Sequence, residues 1–123
     1  MHDVTIVMMA WNRRPELFDY FRQAVECLKR NLQDWDRVAD WLVCVETQNA
    51  VCEEEFARFC GEHRLRIVYR PGPAYLGANL NLALVQVRTP CMLYVQDDQR
   101  LRGPLTIGYR HVLPTSIHHC PLF

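Results

Sequence analysis

Apolar residues fall along this chain in short unbroken runs that alternate with longer stretches of helical spacing. Val4 to Trp11 is apolar except for Thr5. A run without polar alternates marks a strand covered on both faces, so a central strand is expected there. Pro15 suits a first helical turn, and Leu17, Phe18, Phe21, Val25 and Leu28 then recur on one face until Asn31 breaks the pattern. Trp41 to Val45 is the next apolar run, and it ends in Glu46. Asn49 reads as a helix cap ahead of Glu53, Glu54 and Glu55, whose charges suit the positive end of a helix, with Gly61 as the stop. That predicts a second helix over about Ala50 to Cys60. Leu65 to Tyr69 alternates as a third strand, whereas Arg70-Pro71-Gly72-Pro73 reads as a loop because its prolines and glycine interrupt any ladder. Leu80, Leu84 and Val87 mark a third helix over about Leu76 to Val87, and Cys91 to Val95 is the fourth strand.

Strands and helices that alternate in this way predict an α/β fold with a mostly parallel sheet, each crossover carrying a right-handed helix. All four strand ends then face one side. The loops at Asn12-Arg13, Glu46-Thr47, Pro71 to Gly77 and Asp97-Asp98 would converge on the edge where α/β proteins bind ligands. From Arg100 onward Gly103-Pro104, Pro114 and Pro121 punctuate a segment with no clear period. The expected division is therefore one domain over 1–101, followed by a short edge element or irregular tail over 102–123.

Composition narrows the function. At 123 residues, half of them apolar, the chain has room for one domain with a real core. A formal net charge of zero provides no global field toward nucleic acid or an anionic membrane, so neither is an expected partner. Lys29 is the only lysine, which excludes a phosphate loop ending in Gly-Lys and any catalytic lysine elsewhere. The start at Met1 has no signal-peptide pattern and no apolar run reaches membrane-spanning length, so a soluble, cytoplasmic chain is expected. Six cysteines occur without a Cys-x-x-Cys pair and read as reduced, mostly buried thiols, with Cys120 the reactive one. His118-His119-Cys120 lacks a second ligand group at suitable spacing for a metal.

The sharpest chemical signal is Asp97-Asp98, directly after the fourth strand. Adjacent carboxylates raise one another's pKa unless a cation sits between them, so a divalent metal is the natural reason to place them together. At the ligand edge of a sheet, that points to a metal-bridged phosphate ligand.

With Trp11-Asn12-Arg13-Arg14-Pro15-Glu16 after strand one, Glu46 at the end of strand two, Gly77-x-x-x-Asn81 at a helix start and Gln96-Asp97-Asp98 after strand four, the stretch from Val4 to Leu101 resembles the donor half of a GT-A glycosyltransferase. The family is the large inverting one, family 2-like. The resemblance implies a Rossmann-like three-layer sandwich, the GT-A nucleotide-binding half, that takes a nucleoside-diphosphate sugar with Mg or Mn. It makes Asp98 the metal ligand with Asp97 in support, and Glu46 the acid that accepts the N–H of a uracil-type base. Asn12 and Arg13 would line the nucleotide pocket, Gly77 would let backbone approach the ligand, and Asn81 would be part-buried and shape the pocket by a hydrogen bond to a loop.

The chain departs from that pattern in two places. Gln96 stands where the first acid of the usual Asp-x-Asp would be, and beyond Asp98 there is no Asp or Glu to serve as general base. The expectation is a truncated donor-binding half of a sugar transferase, its acceptor unread. The alternative is a non-catalytic nucleotide-binding or assembly protein that keeps the fold. A nucleotidyltransferase is disfavoured because no glycine-rich loop follows strand one, and a receiver-type phosphoacceptor because no lysine follows the last strand.

Overall fold

The unbroken apolar run near the start becomes β1 (Val4–Ala10), and every one of its residues is buried. In the computed structural model, which describes residues 2–10, 14–46, 51–70, 76–96, 103–107 and 113–114, β1 is followed by α1 (Pro15–Asn31), β2 (Val38–Glu46), α2 (Glu53–Glu62), β3 (Arg66–Arg70), α3 (Leu76–Gln86), β4 (Cys91–Gln96) and β5 (Leu113–Pro114). The sheet order is β3-β2-β1-β4-β5. Strands β1 to β4 are parallel, and only the two-residue β5 runs antiparallel, against β4. The α/β class and the mostly parallel sheet are as the pattern of runs requires.

Alternation along the central strands builds two apolar layers. Val4, Ile6, Met8 and Ala10 pack with Trp41, Val43 and Val45 under α1 and α2, joined by Phe21, Val25, Leu28, Phe56 and Phe59. Val7 and Met9 pack with Leu42, Cys44 and Met92 under Leu80 and Ala83 of α3. The placement follows from topology. The connections β1 to β2 and β2 to β3 step the same way along the sheet, so right-handed crossovers put both helices on one face. The connection β3 to β4 crosses back past β1, and its helix lies on the other face. Helices on both faces make the three-layer sandwich.

Several boundaries differ from those expected. A turn of 3₁₀ helix over Trp35–Arg37 precedes β2, which starts at Val38 and not at Trp41. Asp40 belongs to this added stretch and is bound by the Arg66 guanidinium at 2.6 Å and 3.0 Å, a cross-strand pairing that apolar patterning does not register. Helix α2 starts at Glu53 with Cys52 at its N-cap, not at Ala50. Gly61 does not stop it: the helix runs through Glu62, and the turn is made by Arg64 at φ 59, where the Leu65 N–H returns to the Cys60 carbonyl at 2.8 Å. Strand β3 includes Arg70, because Glu46 at the end of β2 extends the ladder to it.

The segment that lacks a clear period is tied to the domain where it is described. Leu105 accepts from Gln33 N–H at 2.9 Å and donates to the Asn31 carbonyl at 2.8 Å, and Ile107 is buried in the core. The Asp34 carboxylate accepts the Ile107 N–H at 2.8 Å and 3.0 Å. Arg37 donates to the Ile107 carbonyl at 2.9 Å and forks onto Asp3 at 3.1 Å and 2.9 Å. The Arg37 hydrogen bond holds the Asp3 carboxyl below its ordinary value of 3.8, against an opposing push from burial. A carboxyl lowered on folding adds stability above its unfolded pKa, and that stability drains away as pH falls through the folded one. Arg37→Ala should therefore melt below the wild type at neutral pH, and the gap should narrow as pH falls below about 4. Thermal melts across that range, with hydrogen exchange at the Ile107 amide, check this. A gap independent of pH would show that the Asp3 pairing adds nothing.

Candidate functional site

Because β1 to β4 are parallel, their C-terminal ends share one edge of the sheet. From β1 the chain moves to β2 and β3 on one side and then to β4 on the other, so the strand order reverses between β1 and β4. At such a point the loops diverge and leave a crevice. Met9 is the register partner of both Cys44 and Gln96, so the strands leading to Asn12-Arg13, Thr47 and Asp97-Asp98 end side by side.

On the α3 face this edge is polar. Glu46, the last residue of β2, follows Leu42 and Cys44 by alternation onto that face and is only 2% exposed. Its register partner on β3 is Arg70, which follows Val68 onto the same face. Burial pushes the Cys44 thiol up while the Arg70 charge pulls it the other way, so the guanidinium field reaches two residues back along β2. The Cys60 thiol, in the opposite layer without such a cation, is pushed up to about 12 by burial. Helix α3 runs antiparallel to the strands, so its N-terminus, the positive end of its dipole, lies at this edge. In its second turn Asn79 is 3% exposed, and its Oδ1 has no hydrogen-bond partner among the described residues. At the end of β4, the Gln96 carboxamide donates to the Tyr94 hydroxyl at 3.3 Å.

Among the residues singled out from sequence, Glu46 lies buried at the edge and Gly77 falls in the first turn of α3. Asn12, Arg13, Asp97 and Asp98 lie outside the described residues, as do Asn49 and Cys120. Asn81 is exposed, contrary to the expected part-burial. Its leucine neighbours surround it in sequence but not in space: at 100° per residue, Leu80 and Ala83 turn to the sheet while Asn81 turns away. The buried asparagine is Asn79. Two polar residues of this edge, Arg70 and Asn79, are thus missed by the sequence reading. Continuing the alternation Arg66, Val68, Arg70 would have found the first, and the wheel of α3 the second. Among the described residues, no three His, Cys, Asp or Glu side chains gather as a metal site.

No family model matches the sequence, and no curated protein does. Solved structures do match the fold. A mannosyltransferase from Pyrobaculum calidifontis, solved with GDP-Man and Mn2+, superposes with a TM-score of 0.59 at 14% identity over 82% of this chain and 29% of its own. TarS of S. aureus superposes with a TM-score of 0.54 at 13% identity over 78% of this chain and 16% of its own. A shorter form of TarS, residues 1–349, gives 0.51 at 14% identity over 78% of this chain and 27% of its own. The chain thus spans less than a third of the length of these solved chains. With helices on both faces of a parallel sheet, and these glycosyltransferase structures superposing on about four-fifths of it, the chain has a Rossmann-like α/β fold of the GT-A type.

Proposed function

We propose that this chain is the donor-binding part of an inverting sugar transferase and holds a nucleoside-diphosphate sugar at the C-terminal edge of its sheet. The observation that carries the reading is Glu46, a buried carboxylate at the end of β2 on the α3 face of a GT-A-type sheet. A carboxylate only accepts, so it suits the N–H of a nucleobase. The mannosyltransferase is in complex with GDP-Man and Mn2+, and TarS 1–349 has been solved with UDP at a TM-score of 0.50, which supports a nucleotide on this fold.

In this reading Asn12 and Arg13 line the pocket, with the Arg13 fork turned to phosphate. Gly77, in the first turn of α3, has no side chain to keep backbone N–H groups from a ligand. Asn81, on the exposed side of the helix, is open to a hydrogen bond from a neighbouring loop. A divalent ion suits the donor set that follows β4, two adjacent carboxylates after a strand that ends at the edge, and hard cations take oxygen ligands. Asp98 would hold it with Asp97 in support. Such an ion, when bound, neutralises the diphosphate and stabilises it as a leaving group.

The test is calorimetric titration of UDP and GDP, each with Mn, into wild type and Glu46→Gln, with thermal melts to establish that both are folded. The expected result is binding to the wild type and a loss of about 10- to 100-fold in the variant, the range for hydrogen bonds to a charged group. A folded variant that binds as the wild type does would remove Glu46 from the site.

A second reading, a non-catalytic protein that uses the same fold for binding, is favoured by one observation. Gln96 occupies the first position of the acidic motif, and its carboxamide is engaged with the Tyr94 hydroxyl. Sugar transfer to a panel of hydroxyl acceptors separates the two, since only the transferase turns over.

A further inference from the structure

The strongest unexplained feature is the orphaned oxygen of Asn79. Buried side-chain oxygens are nearly always hydrogen-bonded, and an unsatisfied one costs stability. Asn79 is 3% exposed and its Oδ1 has no partner among the described residues, while its neighbours Leu80 and Ala83 pack into the apolar layer below.

Helix geometry locates it along the sheet. Asn79 and Gln86 are two turns apart and lie on the same side of α3. The Gln86 carbonyl accepts from Arg66 Nη2 at 3.1 Å, so the C-terminal end of α3 lies level with the start of β3, while the helix itself packs on β2 and β1. From Gln86 back to Asn79 the helix advances about 10 Å toward the C-terminal edge. The same distance along a strand takes about three residues. Starting level with Arg66, this brings Asn79 level with the end of β3, where Arg70 pairs in register with Glu46. Asn79 and Glu46 therefore share one face and one end of the sheet, beneath the N-terminal turns of α3.

We propose that Asn79 Oδ1 is a second acceptor for the nucleobase beside Glu46, and that the two together select guanine. This rests on the reading of Glu46 as the base-binding acid. Guanine presents two adjacent donors, N1–H and the N2 amino group, and so satisfies two neighbouring acceptors at once. Uracil has a single N–H between two carbonyl oxygens, so a second acceptor beside it faces a lone pair. Cytosine and adenine place an acceptor nitrogen next to their amino group and have the same conflict. A site with two acceptors thus discriminates by repulsion of the wrong base as well as attraction of the right one. The orphaned oxygen is the folded state's cost for that selectivity.

Titration of GDP and of UDP, each with Mn, into wild type, Asn79→Leu and Asn79→Ala tests this, with urea unfolding of all three. The wild type should prefer GDP, and both variants should lose about tenfold in GDP affinity while UDP affinity rises as the repulsion is removed. Asn79→Leu, alike in branched shape but apolar, should be as stable as the wild type or more so. Asn79→Ala keeps the binding comparison open if leucine does not fit. Equal binding of the two nucleotides by the wild type, equal losses for both in the variants, or full GDP affinity in the variants would each overturn the inference. Binding that falls in Glu46→Gln but ignores Asn79 removes only the second acceptor. If neither nucleotide binds the wild type, the base-binding reading of Glu46 falls and this inference with it.

Discussion

Manganese should bind this protein tightly only when a nucleoside diphosphate is present. An ion of this class takes about six oxygen ligands, and in nucleotide sites it is typically held by one or two carboxylates plus phosphate oxygens and water. The carboxylates of Asp97 and Asp98 provide too few ligands on their own, and no three acidic, His or Cys side chains gather among the described residues. The diphosphate would supply the rest, so ion and nucleotide should raise each other's affinity by the same factor. Asp98→Asn removes a charged ligand and should weaken manganese binding in the presence of GDP by at least about tenfold, the lower end of the effect of disturbing even the partners of metal ligands. Titrating Mn with and without GDP or UDP, on wild type and variant, measures both quantities. Equal manganese affinity with and without nucleotide, or an unchanged Asp98→Asn, would refute the metal-bridged site.

The largest effect on stability is expected from Phe21→Ala. Phe21 is fully buried on α1, stacks on Phe56 of α2 at 4.8 Å between ring centroids and meets Phe59 edge-on at 5.8 Å. Phe18 completes the cluster at 6.1 Å from both rings. These rings are the seam between the two helices that cover one face of the sheet. Truncating a buried phenylalanine costs about 3–5 kcal/mol through lost transfer energy and the cavity left behind. Against a total stability of about 5–15 kcal/mol for a typical domain, that is enough to leave the variant partly unfolded. Urea unfolding should give a lower midpoint with an unchanged slope, while Phe18→Ala, only part-buried, should lose less. A loss under about 1 kcal/mol for Phe21→Ala would mean that the cluster is not the seam it is taken to be. Nucleotide in excess should restore part of the lost stability, since a ligand that binds only the folded state stabilises it by mass action.

Much of the fold was legible from residue pattern because the signals involved are local. The run from Val4 is interrupted only by Thr5, which marks a strand covered on both faces. Pro15 and the spacing of Phe21, Val25 and Leu28 mark α1 from its first turn to the break at Asn31. The order of elements, with crossovers long enough to carry helices, then leaves little choice but a parallel sheet. Glu46 stood out for the same reason, as an acid that ends an apolar run at the C-terminal edge of the sheet.

Other features depended on partners distant in sequence. Arg70 reads as loop beside two prolines, and only its pairing with Glu46 makes it a strand end. Arg64 turns the chain after α2 in the left-handed region, although Gly61 stands three residues earlier, because the apolar stretch of the helix runs on until Leu65 can return to Cys60. Leu105 and Ile107 lie in a stretch without periodicity, and what docks them is hydrogen bonding to Asn31, Gln33, Asp34 and Arg37. The two asparagines of α3 show the division most directly. By sequence, Asn81 sits among leucines and looks the more enclosed, yet the rotation of the helix over β1 and β2 buries Asn79 and exposes Asn81. The sequence by itself determined the order and type of the elements and the acids that follow the strands, because periodicity and capping act within a few residues. Which polar groups lie on the α3 face was decided only by tertiary structure, because strand order, register and helix rotation follow from burying two apolar layers at once.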